Sequence, residues 1–460
     1  MLSRYRALRL HGATRLARRS AELVRGIDIG VAGVALAMFC AAAAFALVSA
    51  PLGTPDEVAH IDYAIQVWHG HLPVFEQGVS WHPPVNRPPV QWEAQHPPLY
   101  YLILAPFVGP LASHWLVTTI VARLISAVIA AGAVLAIAWA ASLVAQRRRK
   151  AWAIAASAVV APVAIFVRVG GSAYNDNLTV LLTALGLGIG FLCIRRGATR
   201  QRVGAAAVVC ALGMLARAEF GATLVLVSAA LGAAVLLADD APGRRLSLLP
   251  RAALVAAIPV VAAFVASGWF YIRNKRITGS FTGGHPDWAQ EHLRGFRRKS
   301  LDEVLHNTRF WKSQYELLRE YRIGDSTAEH LLITGATVLT VVAVLASMPR
   351  WRRLVDARQL VIIGLLAGLA FLTLASEILY VRGGGGLNAR YVLPAMLPVG
   401  CFLAAGIVAL PRLLRALALA GYLAGAWWIF VSWIVDRHGD TAALRGTSLW
   451  HGRTLDHASW

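Results

Sequence analysis

Two adjacent carboxylates, Asp56 and Glu57, stand in the stretch "GTPDEVAHIDYA", directly after the apolar run 29–50. An ionised acid beside a hydroxyl can take its proton as the oxygen attacks an electrophile, an effect worth about 10²–10⁴ in rate. An aspartate with a reference pKa near about 3.9 is already charged at neutral pH, so such a base needs only placement. In a helix beginning here, the i, i+4 and i+3 spacings put His60 and Tyr63 on the face of Asp56. That face is polar where an interfacial helix would usually bury an apolar side. A plainer reading makes Thr54 an N-cap, Pro55 the first helical residue and Glu57 the closing member of a capping box. It accounts well for Glu57. It accounts less well for Asp56, because a first-turn acid gains only about 0.3–1 kcal/mol from the helix dipole.

The same loop carries His69, His71, His82 and His96 with Glu76 and Glu93, interleaved with Trp68, Trp81 and Trp92. An ordered interfacial loop whose tryptophans sit at headgroup level accounts for any one of them. Together these acids and imidazoles, including Asp56, Glu57, Glu93 and His96, are compatible with a divalent cation, but none demands one. Arginines form the second group. Arg123 lies early in an apolar run, Arg168 and Arg217 near the ends of theirs, and Arg390 opens another. Snorkelling explains each singly. Charges in spans nevertheless cost a few kcal/mol and tend to mark function. Several guanidinium groups at one face would seat a phosphate, which they bind bidentately without losing charge.

These residues must be positioned by membrane helices. The chain has 460 residues, 57% of them hydrophobic and only 15% charged, and its mean hydropathy is +0.57. That is too apolar for an ordinary soluble enzyme. Apolar runs long enough to cross about 30 Å of hydrocarbon recur throughout, and continuous runs mean helices rather than a barrel. The run 29–50 is too long for the core of a cleaved signal peptide and is read as a retained span. The four cysteines all fall inside apolar runs, so they form no disulfide framework or metal-spaced pair. The net charge of +20 sits in short clusters between spans, which reflects insertion topology rather than nucleic-acid binding.

By the positive-inside rule the arginine-rich stretches 4–25, 146–150, 195–202, 243–251, 349–353 and 411–415 are cytoplasmic. The loop 51–97 has one basic residue, Arg87, and lies outside. The segment 98–112 is short and interrupted by Pro106 and Pro110, so it is expected as a juxtamembrane or re-entrant helix. The expected fold is therefore all-α: a polytopic bundle of about eleven spans with juxtamembrane helices in the first outer loop. Its parts are a basic cytoplasmic N-terminus (1–27), a membrane domain (28–435) with outer loops 51–117 and 273–329, and a short outer tail (436–460). The alanine, arginine and glycine bias suits a bacterium with a GC-rich genome, hence an inner membrane. No internal repeat of the inverted-transporter kind is visible.

Several motifs occur in a fixed order: "PDE..H..YA" after the first span, "QHPPLYY", Arg123, "NDN" at 175–177, "WFYIRNKRITGSFTG" at 269–283 and "NARYVLPAMLP" at 388–398. From about residue 53 to 398 this resembles the membrane-embedded GT-C glycosyltransferases, which include protein O-mannosyltransferases and the lipid A aminoarabinose transferase. The resemblance implies a polyprenyl-phosphate sugar as donor, used at the outer face, with a glycan, lipid or protein as acceptor. It makes Asp56 the catalytic base, with Glu57 beside it. Arg390, then Arg123 and Arg273, are its candidates for the leaving phosphate. His60, Tyr63, His96, Tyr100, Asn175 and Asp176 are its candidates for substrate binding. A single displacement would invert the anomeric carbon. The chain departs from the group in two ways: some relatives carry a lysine at the place of Arg217, and larger oligosaccharyltransferases have soluble C-terminal domains and use a metal. Three other classes stay open, one of them a non-catalytic membrane scaffold. A transporter or flippase of lipid-linked glycans predicts charges near the bilayer midplane. A polymer ligase predicts a different outer loop.

Overall fold

The computed structural model describes residues 28–54, 56–85, 88–238, 246–292, 296–316 and 356–438, with isolated positions 335, 338 and 341. The basic N-terminus, Pro55, Arg87, the apolar run 331–348 and most of the tail 436–460 lie outside the described residues. The described residues are helical, with no strand. In chain order the helices are α1 (Ile29–Val48), α2 (Glu57–Trp68), α3 (Leu99–Val108), α4 (Trp115–Val144), α5 (Arg149–Val160) and α6 (Ala164–Gly170). They continue with α7 (Asp176–Arg196), α8 (Arg200–Ala216), α9 (Phe220–Leu236), α10 (Leu249–Thr278), α11 (Pro286–His292), α12 (Leu301–Leu305) and α13 (Thr308–Glu316). The last three are α14 (Ala357–Arg382), α15 (Met396–Ala409) and α16 (Arg412–His438). The chain is a multi-pass membrane helix bundle.

Seven helical segments among the described residues are long and apolar enough to cross a membrane. The pair α5 and α6 is a further candidate, bent by 78°. The bend falls at Pro162, which cannot continue a hydrogen-bonded helix and restricts the residue before it. Two of the expected spans are the shorter helices α8 and α9, of 17 residues each. The segment 98–112 is the short helix α3 continued by a 3₁₀ turn, Gly109–Leu111, as its length and prolines required.

Burial separates centre from rim. In α7, 78% of the spanning window is buried inside the protein, against 17% for α10. The most extensive helix pairs are α4 with α7, α8 with α10, α9 with α10 and α1 with α4. Close approach depends on small residues. At Gly171, between α6 and α7, an added Cβ would come within 2.4 Å of the Ala42 carbonyl oxygen of α1. Glycine at this point lets the strand of chain leading to the "NDN" motif lie against the first helix.

The C-terminal end of α1, the start of α4, the start of α7, the end of α8 and the lead-in to α15 meet at one end of the bundle. The loop 51–114 folds over that end. Its keystone is Asp62, fully buried in α2. Asp62 accepts hydrogen bonds from the Ser80 and Trp81 amides, the Ser80 hydroxyl and the Gln66 and Gln91 side chains. One carboxylate thereby pins two separate parts of the loop to α2.

Candidate active site

The expected capping box does not form. Helix α2 begins at Glu57 with Asp56 in the N-cap position, in the left-handed region at φ 65°, and no side chain caps it. An aspartate tolerates that region better than most residues, but a non-glycine residue there is held by its surroundings. The surroundings are visible next door. Glu57 is fully buried and receives a bidentate pair from Arg123, Nε to Oε1 and Nη2 to Oε2, both at 2.7 Å. Glu57 Oε1 also accepts from the Ala173 amide at 3.1 Å. The remaining Arg123 donors go to the Ala46, Ser49 and Ala50 carbonyls and the Ser49 hydroxyl. Arg123 thus ties the end of α1, the start of α2 and α4 together, while Glu57 adds the α6–α7 turn. Its guanidinium is 1% exposed and every nitrogen is bonded inside the protein, so the pair clamps these elements together and leaves Arg123 no donor turned toward a ligand.

Asp56 points the other way. Its Oδ2 accepts from Arg390 Nη2 at 2.8 Å, with the aspartate side chain 30% exposed. The Arg390 guanidinium lies 4.7 Å from the Tyr174 ring centroid and 5.3 Å from that of Tyr391. Arg217 lies 5.9 Å from the same Tyr391 ring, so two guanidinium groups share one aromatic neighbour. Arg217 bonds Asp176 Oδ1 at 2.6 Å and Asn175 Oδ1 at 2.9 Å, and pairs with Glu219 at 3.1 Å. The "NDN" motif therefore holds Arg217, and this arginine joins the site with Arg390.

Several buried polar atoms around this cluster have no hydrogen-bond partner. They are Thr54 Oγ1, Asn175 Nδ2, Asp176 Oδ2 and Arg390 Nε. Buried polar groups are nearly always satisfied, and an exception asks for an explanation such as a bound group. Asn175 and Asp176 are the residues that hold Arg217, and the Nε belongs to Arg390 itself.

Behind α2 lies a second, largely buried cluster. Glu93 Oε2 sits 3.3 Å from His60 Nε2 and 3.2 Å from His96 Nε2, with the Tyr101 hydroxyl at 3.4 Å. His60 Nδ1 meets the Tyr101 hydroxyl at 3.0 Å. Burial, with help from the charge of Asp56, pushes the Glu93 carboxyl up to about 8. Burial first, then His96, Arg390 and Arg217, holds the His60 imidazole well below its usual value, and His96 shifts the same way. Tyr63 stacks on Tyr101 at 3.6 Å between centroids and donates to the His96 carbonyl. Its phenol is raised, chiefly by burial. Tyr100 bonds Ser126 of α4 at 2.7 Å. His60, Tyr63 and Tyr100 are buried and spend their polar atoms inside the protein. They shape the wall behind Asp56 and do not line an open surface. Arg273, at the end of α10, donates to the Pro73 carbonyl at 2.8 Å and packs on Phe270.

Sequence reasoning passed over Tyr391, Glu93 as the centre of an imidazole pair, and Asp62. The first two stand inside the motifs "NARYVLP" and "EAQHPP", so the signal was present without an indication of what each touches. Among the described residues no three of His, Cys, Asp and Glu are arranged to hold a metal ion. Glu93 and its histidines are arranged as hydrogen-bond partners around one oxygen.

The chain superposes on ArnT from Cupriavidus metallidurans bound to undecaprenyl phosphate with a TM-score of 0.52 at 16% identity, covering 91% of this chain and 72% of that one. The apo state of the same protein gives 0.50 at 13% identity, covering 92% and 77%. An oligosaccharyltransferase from Archaeoglobus fulgidus in its apo form gives 0.48 at 13%, and this chain spans 56% of its length. No family model and no curated protein matches the sequence. The chain has the fold of the GT-C membrane glycosyltransferases.

Proposed function

We propose that the chain is a glycosyltransferase that moves a sugar from a polyprenyl-phosphate donor to an acceptor hydroxyl. The observation that carries this reading is the Asp56–Arg390 pair, with Arg217 beside it: a carboxylate and two guanidinium groups at one end of a membrane bundle, with unpartnered buried polar atoms on Arg390 and on the residues that hold Arg217. Asp56 takes the proton as the acceptor oxygen attacks the anomeric carbon, and the carbon–oxygen bond to phosphate breaks with its electron pair going to the phosphate. The products are the glycosylated acceptor and polyprenyl phosphate. Attack opposite the departing phosphate inverts the anomeric centre. The phosphate gains a negative charge as it leaves, which Arg390 and Arg217 stabilise in a site largely shielded from water. Arg123 and Glu57 fix the backbone that presents Asp56. The exposed Arg297 and Arg298, on a segment docked to the end of α14 through the Lys299 amide and Arg382 carbonyl, face headgroup depth. The site opens to the outside of a bacterial inner membrane, with the N-terminus cytoplasmic.

A transporter of lipid-linked glycans is the second reading. The three arginine–carboxylate groups at one end of the bundle disfavour it, because transporters place coupling charges near the midplane. The test incubates the purified protein in lipid discs with a panel of labelled polyprenyl-phosphate sugars. Release of polyprenyl phosphate with an inverted sugar product supports the transferase. Failure of every prenyl phosphate to bind moves the reading to transport.

A further inference from the structure

We infer that Arg390 is exchanged between Asp56 and the donor phosphate, so that loading the donor and freeing the base are one event. This rests on the transferase reading and adds to it an order of binding and a second role for Arg390. Three observations point to it. The base and the principal phosphate cation are bonded to each other, at 2.8 Å. Asp56 is held in a left-handed conformation by its neighbours, and Glu57 is locked to Arg123 on the adjacent residue. Asp56 is therefore presented to Arg390 from a helix start fixed by the Glu57–Arg123 pair. Arg390 in turn keeps Nε buried and without a partner, while its guanidinium rests near the rings of Tyr174 and Tyr391. Such a seat lets a planar cation turn from one anion to another without leaving the site.

The charge balance of the transfer fits this exchange. Before reaction Asp56 is an anion and the donor phosphodiester carries one negative charge. During transfer Asp56 takes the acceptor proton and becomes neutral, while the departing phosphate gains one unit of negative charge. The attraction that held Arg390 on Asp56 disappears as the attraction of the phosphate grows. Arg217 does not change partners, since neither Asp176 nor Glu219 takes the acceptor proton. Without donor, Asp56 stays paired with Arg390 through Oδ2, and a carboxylate held by a cation is a weaker base toward an acceptor hydroxyl. The order is donor first, acceptor second.

The product, polyprenyl phosphate, should then compete directly with Asp56 for Arg390. The experiment measures its affinity in lipid discs for wild type, Asp56→Asn, Arg390→Gln and the double variant, with thermal unfolding to confirm folding of each. Asp56→Asn is expected to tighten binding about tenfold or more, because the competing carboxylate is gone. In the Arg390→Gln background the same substitution should have no effect, as a double-variant cycle requires. Glu219→Gln serves as the comparison for general loss of negative charge. Unchanged or weaker binding by folded Asp56→Asn, while wild type binds, overturns the exchange and leaves the transferase reading standing. Equal tightening by Glu219→Gln, persisting without Arg390, overturns it as well. Absence of binding by wild type removes both.

Discussion

The two ends of the bundle use arginine in opposite ways. At the arginine-rich end the guanidinium groups bond main-chain carbonyls at helix ends. Arg195 reaches Leu143 and Val144 at the end of α4, Arg148 reaches Val408 in the last turn of α15, and Arg358 reaches Leu237 just past α9. Arg202 does the same at the end of α7, through the Arg196 and Gly197 carbonyls. These carbonyls have no partner within their helices, and a cation there also opposes the negative end of the dipole. At the loop end Arg123, Arg217 and Arg390 each meet a carboxylate, Arg123 while also bonding carbonyls at the end of α1, and two of the three are at most 4% exposed. The first pattern anchors helices and tolerates change. The second holds charge where no charge would settle without a partner, which is a setting for binding or catalysis.

The largest stability loss is therefore expected at the loop end. Arg123→Leu leaves Glu57 buried and uncompensated, at a cost of about 3–5 kcal/mol. Folded yield and unfolding temperature in discs should drop sharply, and the pair Arg123→Leu with Glu57→Leu should recover much of the loss. If the single variant is as stable as wild type, the clamp is not what holds the site. Next, Arg217→Gln should weaken polyprenyl phosphate binding by about tenfold to a hundredfold, the effect of losing one charge-assisted contact of about 1.5–3 kcal/mol. Isothermal binding in discs measures this. No change would remove Arg217 from the phosphate seat.

The buried Glu93 carboxyl gives a dependence on pH. The folded-state pKa of Glu93 is raised, to about 8, so its neutral form favours the fold. That stabilisation is complete below the usual carboxylate value and is lost as pH rises through about 8. His60 and His96 are lowered, so their contribution is present above their usual value and is lost as pH falls through the depressed one. Unfolding temperature should decline as pH rises from about 6.5 to about 8 in wild type and decline less in Glu93→Gln; parallel curves would show that Glu93 is not the titrating group. The smallest effect belongs to the other end. Arg195→Gln should cost less than about 1 kcal/mol and leave transfer unchanged, as unfolding and initial rates together would show. A loss of activity there would break the contrast between the ends.

Much of this was legible in the chain. Helix after helix of apolar residues leaves no other fold, and the arginine clusters mark one end of it. The prolines of 98–112 foretold a short helix, and Asp56 stood out because the capping box gave it no task. The pairings were not legible. Arg390 and Asp56 lie 334 residues apart in sequence, and Arg123 and Glu57 lie 66 apart. Nothing local says which arginine meets which acid, so Arg123 looked as fit for phosphate as Arg390. The capping box failed for the same reason: Thr54 and Glu57 have the right spacing, yet a bidentate partner from α4 outcompetes one backbone amide. Helices that are apolar all round also lack the periodicity that would tell which face carries Tyr100 inward to Ser126.

The most direct test of the central claim compares transfer by wild type and Asp56→Asn with a donor that the wild-type protein turns over, both folded and both able to bind polyprenyl phosphate. A fall of about 10²–10⁴ in rate with binding retained is the predicted result. A variant that transfers sugar at the wild-type rate would contradict it, because the proton would then leave the acceptor without Asp56.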